Sequence, residues 1–308
     1  MKGLRGLLFA SLIFSLAFLS HPSPAVAAVD NSLSTPVVSK KPSQVKKTKR
    51  VYRPRHTRRE SPEAILLKDL TTGETLVERR ADQPMHPASL TKIMSAIVIL
   101  EEGDLDDAVT VSRHAASTSG TRLRLKAGQV FPLRGLVEAM LIRSANDACL
   151  AAAEHVGGNE ASFVAKMNAK VEELGLAHTQ FMNPCGFSVE GHYSTAEDLA
   201  DLTEYAMSNE TFAAIVREST AVIRSITPVR SKIFVARTTN RLLGTVDGVV
   251  GVKTGYTHAA GRCLITVVRR NDKELLLVLL NSRQRWSTAQ SMIDYGLSQR
   301  SLLTSSLR

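Results

Sequence analysis

Apolar and polar positions follow three successive patterns along most of this 308-residue chain. A short region of strand type comes first, a long region with helical periodicity follows, and runs of strand type return before one last helix. The predicted elements are a hairpin over 65–69 and 75–78, helices from 89 to 215, strands from 222 to 281 and a helix over 287–295. This order predicts an α+β fold, built as one domain of about 240 residues.

The first candidate motif, Ser89-x-x-Lys92, stands at the predicted start of the helical region. An apolar stripe at helical spacing follows it, so Ser89 is expected in the first turn, near free backbone N–H groups and the positive end of the helix dipole. Lys92 then lies one turn on along the same face. A buried lysine beside another cation can accept the proton of a serine nucleophile. A capping serine followed by an exposed lysine is the alternative interpretation.

The second motif, Ser144-x-Asn146, separates two predicted helices, 133–142 and 147–153. A turn between helices can direct a hydroxyl and a carboxamide into a cleft from the side opposite the nucleophile. Asn146 would there orient both a substrate amide and Lys92. The alternative is ordinary capping of the second helix by one of these polar side chains.

The third motif, Lys253-Thr254-Gly255, lies between two runs of strand type, 249–252 and 264–268. A strand edge with a small glycine lets an extended peptide pair with it by β-strand addition. Lys253 would supply fixed positive charge and Thr254 a hydroxyl. A turn lysine in a hairpin is the alternative.

In this order the three motifs resemble those of low-molecular-mass penicillin-binding proteins, the serine D-alanyl-D-alanine carboxypeptidases of peptidase family S11. The similarity extends from about Pro62 to Gly296. The further matching segments are 86–89, 146–149, 193–199, 239–243 and 251–257. The resemblance implies an antiparallel sheet packed against a helical cluster, a single catalytic domain with the site at their junction, and no cofactor; the sequence itself shows no metal-ligand spacing.

The resemblance also implies a mechanism at the matching positions. Ser89 attacks the carbonyl between the last two D-alanines of a peptidoglycan stem peptide, Lys92 takes its proton, and water hydrolyses the acyl-enzyme. Ser144 relays the proton to the leaving nitrogen, while Asn146 and Lys253 hold the network. β-Lactam antibiotics would acylate the same serine and act as inhibitors.

Substrate binding is expected on the Lys253-Thr254-Gly255 segment and the residues that follow it. The backbone N–H groups of Ser89 and Tyr256 would form the oxyanion hole. Most relatives have His in place of Tyr256, a change that matters little where only the backbone is used. Arg285 stands at the position that resembles the family's carboxylate-binding arginine, with Arg283 as its competitor and a solvated arginine as the alternative.

Three other functions fit parts of the pattern. A D,D-endopeptidase would cut peptidoglycan crosslinks with the same catalytic groups, and segment 121–125 resembles that subgroup. A class A β-lactamase would need a carboxylate for deacylation, usually in a Glu-x-x-x-Asn loop, and no glutamate from Glu154 to Glu210 has Asn four residues on. A non-catalytic wall-binding protein would not need all the intact catalytic positions.

The N-terminus predicts export. Lys2 and Arg5 precede an apolar stretch over 7–19, and small residues follow up to Ala27, which is typical of a secretory signal peptide over 1–27. An uncleaved membrane anchor is the alternative. The expected organisation is then a basic disordered arm over 28–60, the catalytic domain over 61–300 and a tail over 301–308. The enzyme would be periplasmic or associated with the cell wall, and with 12 residues after Gly296 no second domain is expected in this sequence.

The net charge of +10 is concentrated in the N-terminal region. Residues 1–59 contain 12 Lys or Arg against one acid, Asp30, whereas the 27 basic and 28 acidic residues of 60–308 nearly cancel. The run over 40–59 has almost no apolar periodicity, so it is expected to be disordered. Outside the cytoplasm such an arm would bind an anionic wall polymer or membrane surface, and no nucleic-acid partner is expected. A soluble spacer is the alternative.

Overall fold

A computed structural model describes residues 63–226, 231–270 and 272–299. The predicted signal peptide, basic arm and C-terminal tail lie outside the described residues, so those assignments stay predictions. Within the described ranges, no helix combines the length and the apolar character needed to cross a membrane.

The described elements follow the predicted order of strands, helices and strands. The strands are β1 (Ala64–Asp69), β2 (Thr75–Arg79), β3 (Ala108–Thr110), β4 (Val130–Pro132), β5 (Thr220–Arg224), β6 (Ile233–Arg237), β7 (Val249–Thr257), β8 (Gly261–Arg270) and β9 (Lys273–Leu280). The helices are a 3₁₀ turn (Ala88–Thr91), α1 (Lys92–Glu102), α2 (Arg113–Ser117), α3 (Leu133–Ile142), α4 (Asn146–Gly157), α5 (Glu160–Glu173), α6 (Ala196–Ser208), α7 (Glu210–Arg217) and α8 (Arg285–Ser298).

Five strands form one antiparallel sheet in the order β2-β1-β9-β8-β7. The strand β1 pairs with β9 near the other end of the chain, with Leu66 opposite Val278. This pairing joins the two strand regions of the sequence into one sheet. It also leaves β7, which carries the third motif, at one edge.

The strand β9 is buried on both faces, which explains its continuous apolar run. Successive side chains of a strand point to opposite faces, and accordingly Leu276 and Val278 join the core shared with the helical cluster. Leu275 and Leu277 join a second core under α8, which contributes Ile293. The sheet is therefore covered by the helical cluster on one side and by α8 on the other.

The helical cluster is built around α1, whose residues from Lys92 to Ile99 are all buried. The adjacent helix α4 is rich in alanine, so its neighbours α1, α3 and α5 can pack closely against it. Full burial of an aliphatic side chain such as Ile93 or Ile97 contributes about 2 kcal/mol. Lys92 is thus anchored by one of the most firmly packed elements of the protein.

The predicted α+β fold with an antiparallel sheet and a helical cluster is confirmed, as are the opening hairpin and the helix over 133–142. Two features differ from the expectation. The short strands β3 and β4 pair within the helical region, and β5 and β6 form a separate two-stranded sheet. Three-residue strands are too short to show a period of two, and strand-type sequence does not reveal which sheet a strand joins.

Candidate active site

Ser89 lies in the 3₁₀ turn directly before α1, and Lys92 is the first residue of that helix. The helix therefore begins one turn later than expected, with the serine just outside it. Ala88 has a left-handed backbone (φ 50°), and its carbonyl accepts a hydrogen bond from Thr91 Oγ1 at 2.8 Å. The turn thus presents Ser89 in a conformation that the neighbouring residues must support.

Two glycines allow the backbone to approach this turn from both sides. A Cβ atom on Gly186, whose φ is +86°, would lie 1.9 Å from the carbonyl oxygen of Ala88. A Cβ atom on Gly255 of β7 would lie 3.2 Å from the backbone nitrogen of Ser89. The nucleophile turn is therefore held between the loop that contains Gly186 and strand β7, with no space for larger side chains.

Lys92 is fully buried and has three oxygen neighbours. Its Nζ lies 3.2 Å from Ser89 Oγ, 2.8 Å from Asn146 Oδ1 and 2.5 Å from the carbonyl oxygen of Cys185. A neutral amine has two hydrogens for Asn146 and Cys185 and one lone pair for Ser89, whose contact is the longest of the three. The geometry therefore suits a base that accepts the proton of Ser89.

Asn146 begins α4 and is fixed at both ends of its side chain. Its Oδ1 accepts from Lys92, whereas its Nδ2 donates to the carbonyl of Ser119 at 2.7 Å. Ser144 is buried in the turn between α3 and α4, with a left-handed φ of 63°. In the described parts of the chain no hydrogen bond joins Ser144 to Ser89 or Lys92, so its role as a proton relay stays a prediction.

The third motif lies inside one continuous strand and not between two. Lys253 is fully buried, and its Nζ donates to the carbonyl of Thr254 at 3.0 Å. Burial lowers the pKa of Lys253 well below its usual range, and a positive charge on nearby Lys92 would lower it further. Thr254 Oγ1 lies 2.5 Å from Thr239 Oγ1. The strand thus approaches Ser89 through Gly255 while its outer edge stays available for pairing with a peptide.

Residues 49–284 match the D-alanyl-D-alanine carboxypeptidase family, peptidase S11. The chain belongs to this family. It is 35% identical over 248 residues to D-alanyl-D-alanine carboxypeptidase DacF of Bacillus subtilis, which covers 78% of this chain and 63% of DacF. Identity to DacC of Escherichia coli is 33% over 248 residues, covering 76% of this chain and 60% of DacC. The chain therefore spans about three fifths of the length of these relatives.

Solved structures of S11-like D,D-peptidases share the same fold. The crystal structure of the Streptomyces K15 DD-transpeptidase aligns with a TM-score of 0.73 at 29% identity, covering 76% of this chain and 96% of the other. D-alanyl-D-alanine carboxypeptidase DacD of Francisella tularensis aligns with a TM-score of 0.70 at 29% identity, covering 77% and 70%. The predicted family and fold class are confirmed by these similarities.

In this S11 chain, Ser89 lines a cavity of about 660 Å³. Its lining includes buried Asn146 and Cys185 and also Tyr256, which is 61% exposed. The predicted oxyanion residues Ser89 and Tyr256 therefore border the same space. The remaining wall includes segment 119–122, which hydrogen bonds tie to Asn146.

Arg285 lies behind strand β7 and does not line this cavity. Its Nη1 donates to the carbonyls of Gly255 at 3.0 Å and Cys263 at 2.9 Å, and its guanidinium stacks on Trp286 with 4.4 Å to the ring centroid. Burial lowers the pKa of Arg285, and neighbouring arginines add to the effect. Its Nε has no hydrogen-bond partner in the described residues. Carboxylate binding by Arg285 stays a prediction, while support of β7 is observed. Its competitor Arg283 is exposed.

Sequence reasoning did not find the loop that completes the Lys92 site. Asn183 Oδ1 accepts hydrogen bonds from the backbone nitrogens of Cys185, Gly186 and Phe187, which closes a tight turn. This turn directs the Cys185 carbonyl at Lys92. The run Asn-Pro-Cys-Gly over 183–186 is a turn signal, but no sequence pattern indicates that its carbonyl faces a lysine 93 positions away.

His192 supports the nucleophile turn from behind. Its Nδ1 accepts from the backbone N–H of Met182 at 3.0 Å, so its proton is on Nε2, which donates to Thr91 Oγ1 at 2.9 Å. Thr91 in turn donates to Ala88. Burial, with a smaller effect from His86, lowers the pKa of His192 to about 4. The neutral imidazole is thus part of the structure that holds Ser89 in place.

Proposed function

We propose that this protein is a serine D,D-carboxypeptidase that removes the terminal D-Ala from peptidoglycan stem peptides through an acyl-enzyme. The observation that carries the proposal is the contact of buried Lys92 with Ser89 Oγ and two further oxygens. Membership of the S11 family, and the names of the relatives as D-alanyl-D-alanine carboxypeptidases, support this substrate. β-Lactams would acylate the same serine.

The proposed reaction begins with proton transfer from Ser89 Oγ to Lys92 Nζ as Oγ attacks the penultimate D-Ala carbonyl. The backbone N–H groups of Ser89 and Tyr256 stabilise the oxyanion, and one such donor can contribute about 3 kcal/mol. Ser144 passes the proton to the leaving nitrogen, and free D-Ala departs. Water then attacks the ester, Lys92 again acts as base, and Ser89 is regenerated.

The substrate peptide would pair with the free edge of β7. That edge carries Thr254, Gly255 and Tyr256 next to Ser89, an arrangement that suits an extended peptide. Lys253 supplies positive electrostatic potential beneath this edge, and Thr254 donates its hydroxyl to the terminal carboxylate. Arg285 supports the same end of the peptide by holding the Gly255 carbonyl.

Digestion of purified wall fragments by the full-length protein, followed by mass spectrometry, tests this function. Loss of one D-Ala from pentapeptide stems is expected, and Ser89→Ala should abolish it. A labelled penicillin should attach to Ser89. Release of monomers from crosslinked dimers would instead identify a D,D-endopeptidase, and labelling that survives Ser89→Ala would contradict the assignment of the nucleophile.

We also propose that the protein is exported and that residues 40–59 bind an anionic wall polymer or membrane surface. The support is charge segregation, since that segment holds ten Lys or Arg and no acid. Deleting 28–59 should leave turnover of a small soluble peptide unchanged but weaken binding to walls or anionic vesicles. That binding should fall between low and physiological salt. If the full-length protein and the deletion variant bind walls and vesicles equally well at low salt, the arm is only a spacer.

A further inference from the structure

One wall of the cavity that contains Ser89 is strongly cationic. Arg122, Arg124 and Arg143 line it, and no Asp or Glu is among the described residues around it. These arginines come from segment 119–125 and from the end of α3, on the side of Asn146. They are separate from Arg285, which lies behind β7 and outside the cavity.

The guanidinium groups on this wall are available to a ligand. All three side chains are exposed. Arg122 donates from Nη1 to the carbonyl of Thr118 at 2.6 Å, and its other donors have no hydrogen-bond partner among the described residues. Across the described ranges, the side chains of Arg124 and Arg143 make no hydrogen bond or ion pair, although the backbone nitrogen of Arg143 donates to the carbonyl of Ala139. A set of arginines without carboxylate partners, beside a reactive serine, suits an incoming anion.

Hydrogen bonds fix the segment that carries Arg122 and Arg124 to the start of helix α4. The backbone nitrogen of Asn146 donates to the carbonyl of Thr121 at 2.7 Å. The carboxylate of Asp147, which is fully buried, accepts from the nitrogens of Leu123 at 3.1 Å and Leu125 at 2.9 Å.

Leu125 packs into the core and Leu123 packs partly against it, whereas the side chains of Arg122 and Arg124 are exposed. Their positions are therefore set by the same helix that orients Lys92 through Asn146. Preorganisation of this kind reduces the entropy lost on binding a ligand.

We propose that Arg122, Arg124 and Arg143 form a subsite for free carboxylates on the acyl-donor side of the scissile bond. This inference rests on the proposed function, in which the terminal D-Ala carboxylate lies along β7. The acyl portion of the peptide then extends into the rest of the cavity, where the arginines lie. The preferred substrates are stem peptides whose acidic groups are free, and peptides whose acidic groups are amidated bind less well.

Two synthetic peptides test the subsite with the full-length protein. Both are N-acetylated and end in D-Ala-D-Ala; one has acidic residues at the two preceding positions and the other the corresponding amides. The wild type should hydrolyse the acidic peptide with a kcat/KM about tenfold higher, because a charge-assisted contact is lost with the amide. The ratio of the two kcat/KM values, acidic peptide over amide, should approach one in the double variant Arg124→Gln, Arg143→Gln. In the wild type the same ratio should fall with added salt.

The matched control is the double variant Arg113→Gln, Arg134→Gln, which removes two exposed arginines that do not line the cavity. It should keep the preference for the acidic peptide. The control variant should also keep the wild-type rate of acylation by a labelled penicillin, and the midpoint of thermal unfolding should be unchanged in both double variants, which shows that their fold is intact.

Equal kcat/KM for the two peptides in the wild type, or a preference that survives in the Arg124→Gln, Arg143→Gln variant, would overturn the subsite. Equal loss of activity on both peptides in that variant would place the arginines on the terminal carboxylate, which also contradicts the proposal. Absence of both peptide turnover and penicillin adduct in the wild type would refute the proposed function itself, and the subsite with it.

Discussion

The two sides of Ser89 differ in how completely their polar groups are already bonded. On the helical side, Lys92 contacts three oxygens and the amide of Asn146 is bonded at both ends. On the strand side, Lys253 donates only to a neighbouring carbonyl in the described residues, and the outer edge of β7 is unpaired. The difference indicates that the helical side is assembled for proton transfer before substrate arrives, whereas the strand side has groups left for the substrate.

The largest expected effect comes from exchanging the lysine on each side for arginine. Lys92→Arg should lower acylation by a labelled penicillin at least about a thousandfold, because a guanidinium does not give up its proton and so cannot act as a base. Lys253→Arg keeps the positive charge that the strand side is proposed to need and should retain measurable acylation. Thermal unfolding of both variants controls for folding. Turnover by Lys92→Arg above a few per cent of wild type would place the base elsewhere.

The two glycines that contact the nucleophile turn provide the next comparison. Gly186→Ala should lower the free energy of unfolding by about 3 kcal/mol or more, because its Cβ would overlap the Ala88 carbonyl at a positive φ. Gly255→Ala meets contacts of 3.0–3.2 Å without a positive φ, so about 1–2 kcal/mol is expected. Denaturant unfolding measures both. An equal or reversed order would show that the 183–187 turn adjusts more easily than β7.

The next prediction concerns acid. Protonation of His192, on the helical side, should lower the free energy of unfolding. The pKa of His192 is about 4 in the folded protein against an ordinary value of 6.5, so between these values the unfolded state binds the proton and the folded state does not. Stability should therefore fall as pH decreases from 6.5 to 4, by about 3 kcal/mol in total, with no further loss from this group below pH 4. In His192→Gln this pH-dependent part should disappear, as urea unfolding at several pH values would reveal. An unchanged pH profile in that variant would assign the acid sensitivity to other groups.

The smallest expected effect concerns the hydroxyl pair on the strand side. Thr239→Val removes the partner of Thr254 Oγ1 at nearly constant volume. If Thr254 contacts the substrate, KM for a D-Ala-D-Ala peptide should rise about threefold, as for the loss of one neutral hydrogen bond, with little change in penicillin acylation. A fall in acylation with unchanged KM would mean that the pair acts on the chemistry and not on binding.

Local patterns in the sequence determined much of the fold. The helix over 133–142 and the opening hairpin follow from side-chain periodicity and turn residues, because burial on one face imposes a period of 3.6 or two. Candidate residues Ser89, Lys92 and Asn146 also follow from sequence, since their motifs are short and their residue types suit acyl transfer. The structure then brings these three side chains into contact.

Only the tertiary structure decided how distant segments meet. The third oxygen around Lys92 belongs to Cys185, the support of Ala88 comes from Gly186, and β1 finds its partner in β9. The sequence also did not predict that Arg285 lies behind β7 or that Arg122 lines the cavity. Such contacts depend on how whole elements pack. The residues next to a position in the sequence indicate whether its side chain is buried, but they do not indicate which distant backbone group that side chain will contact.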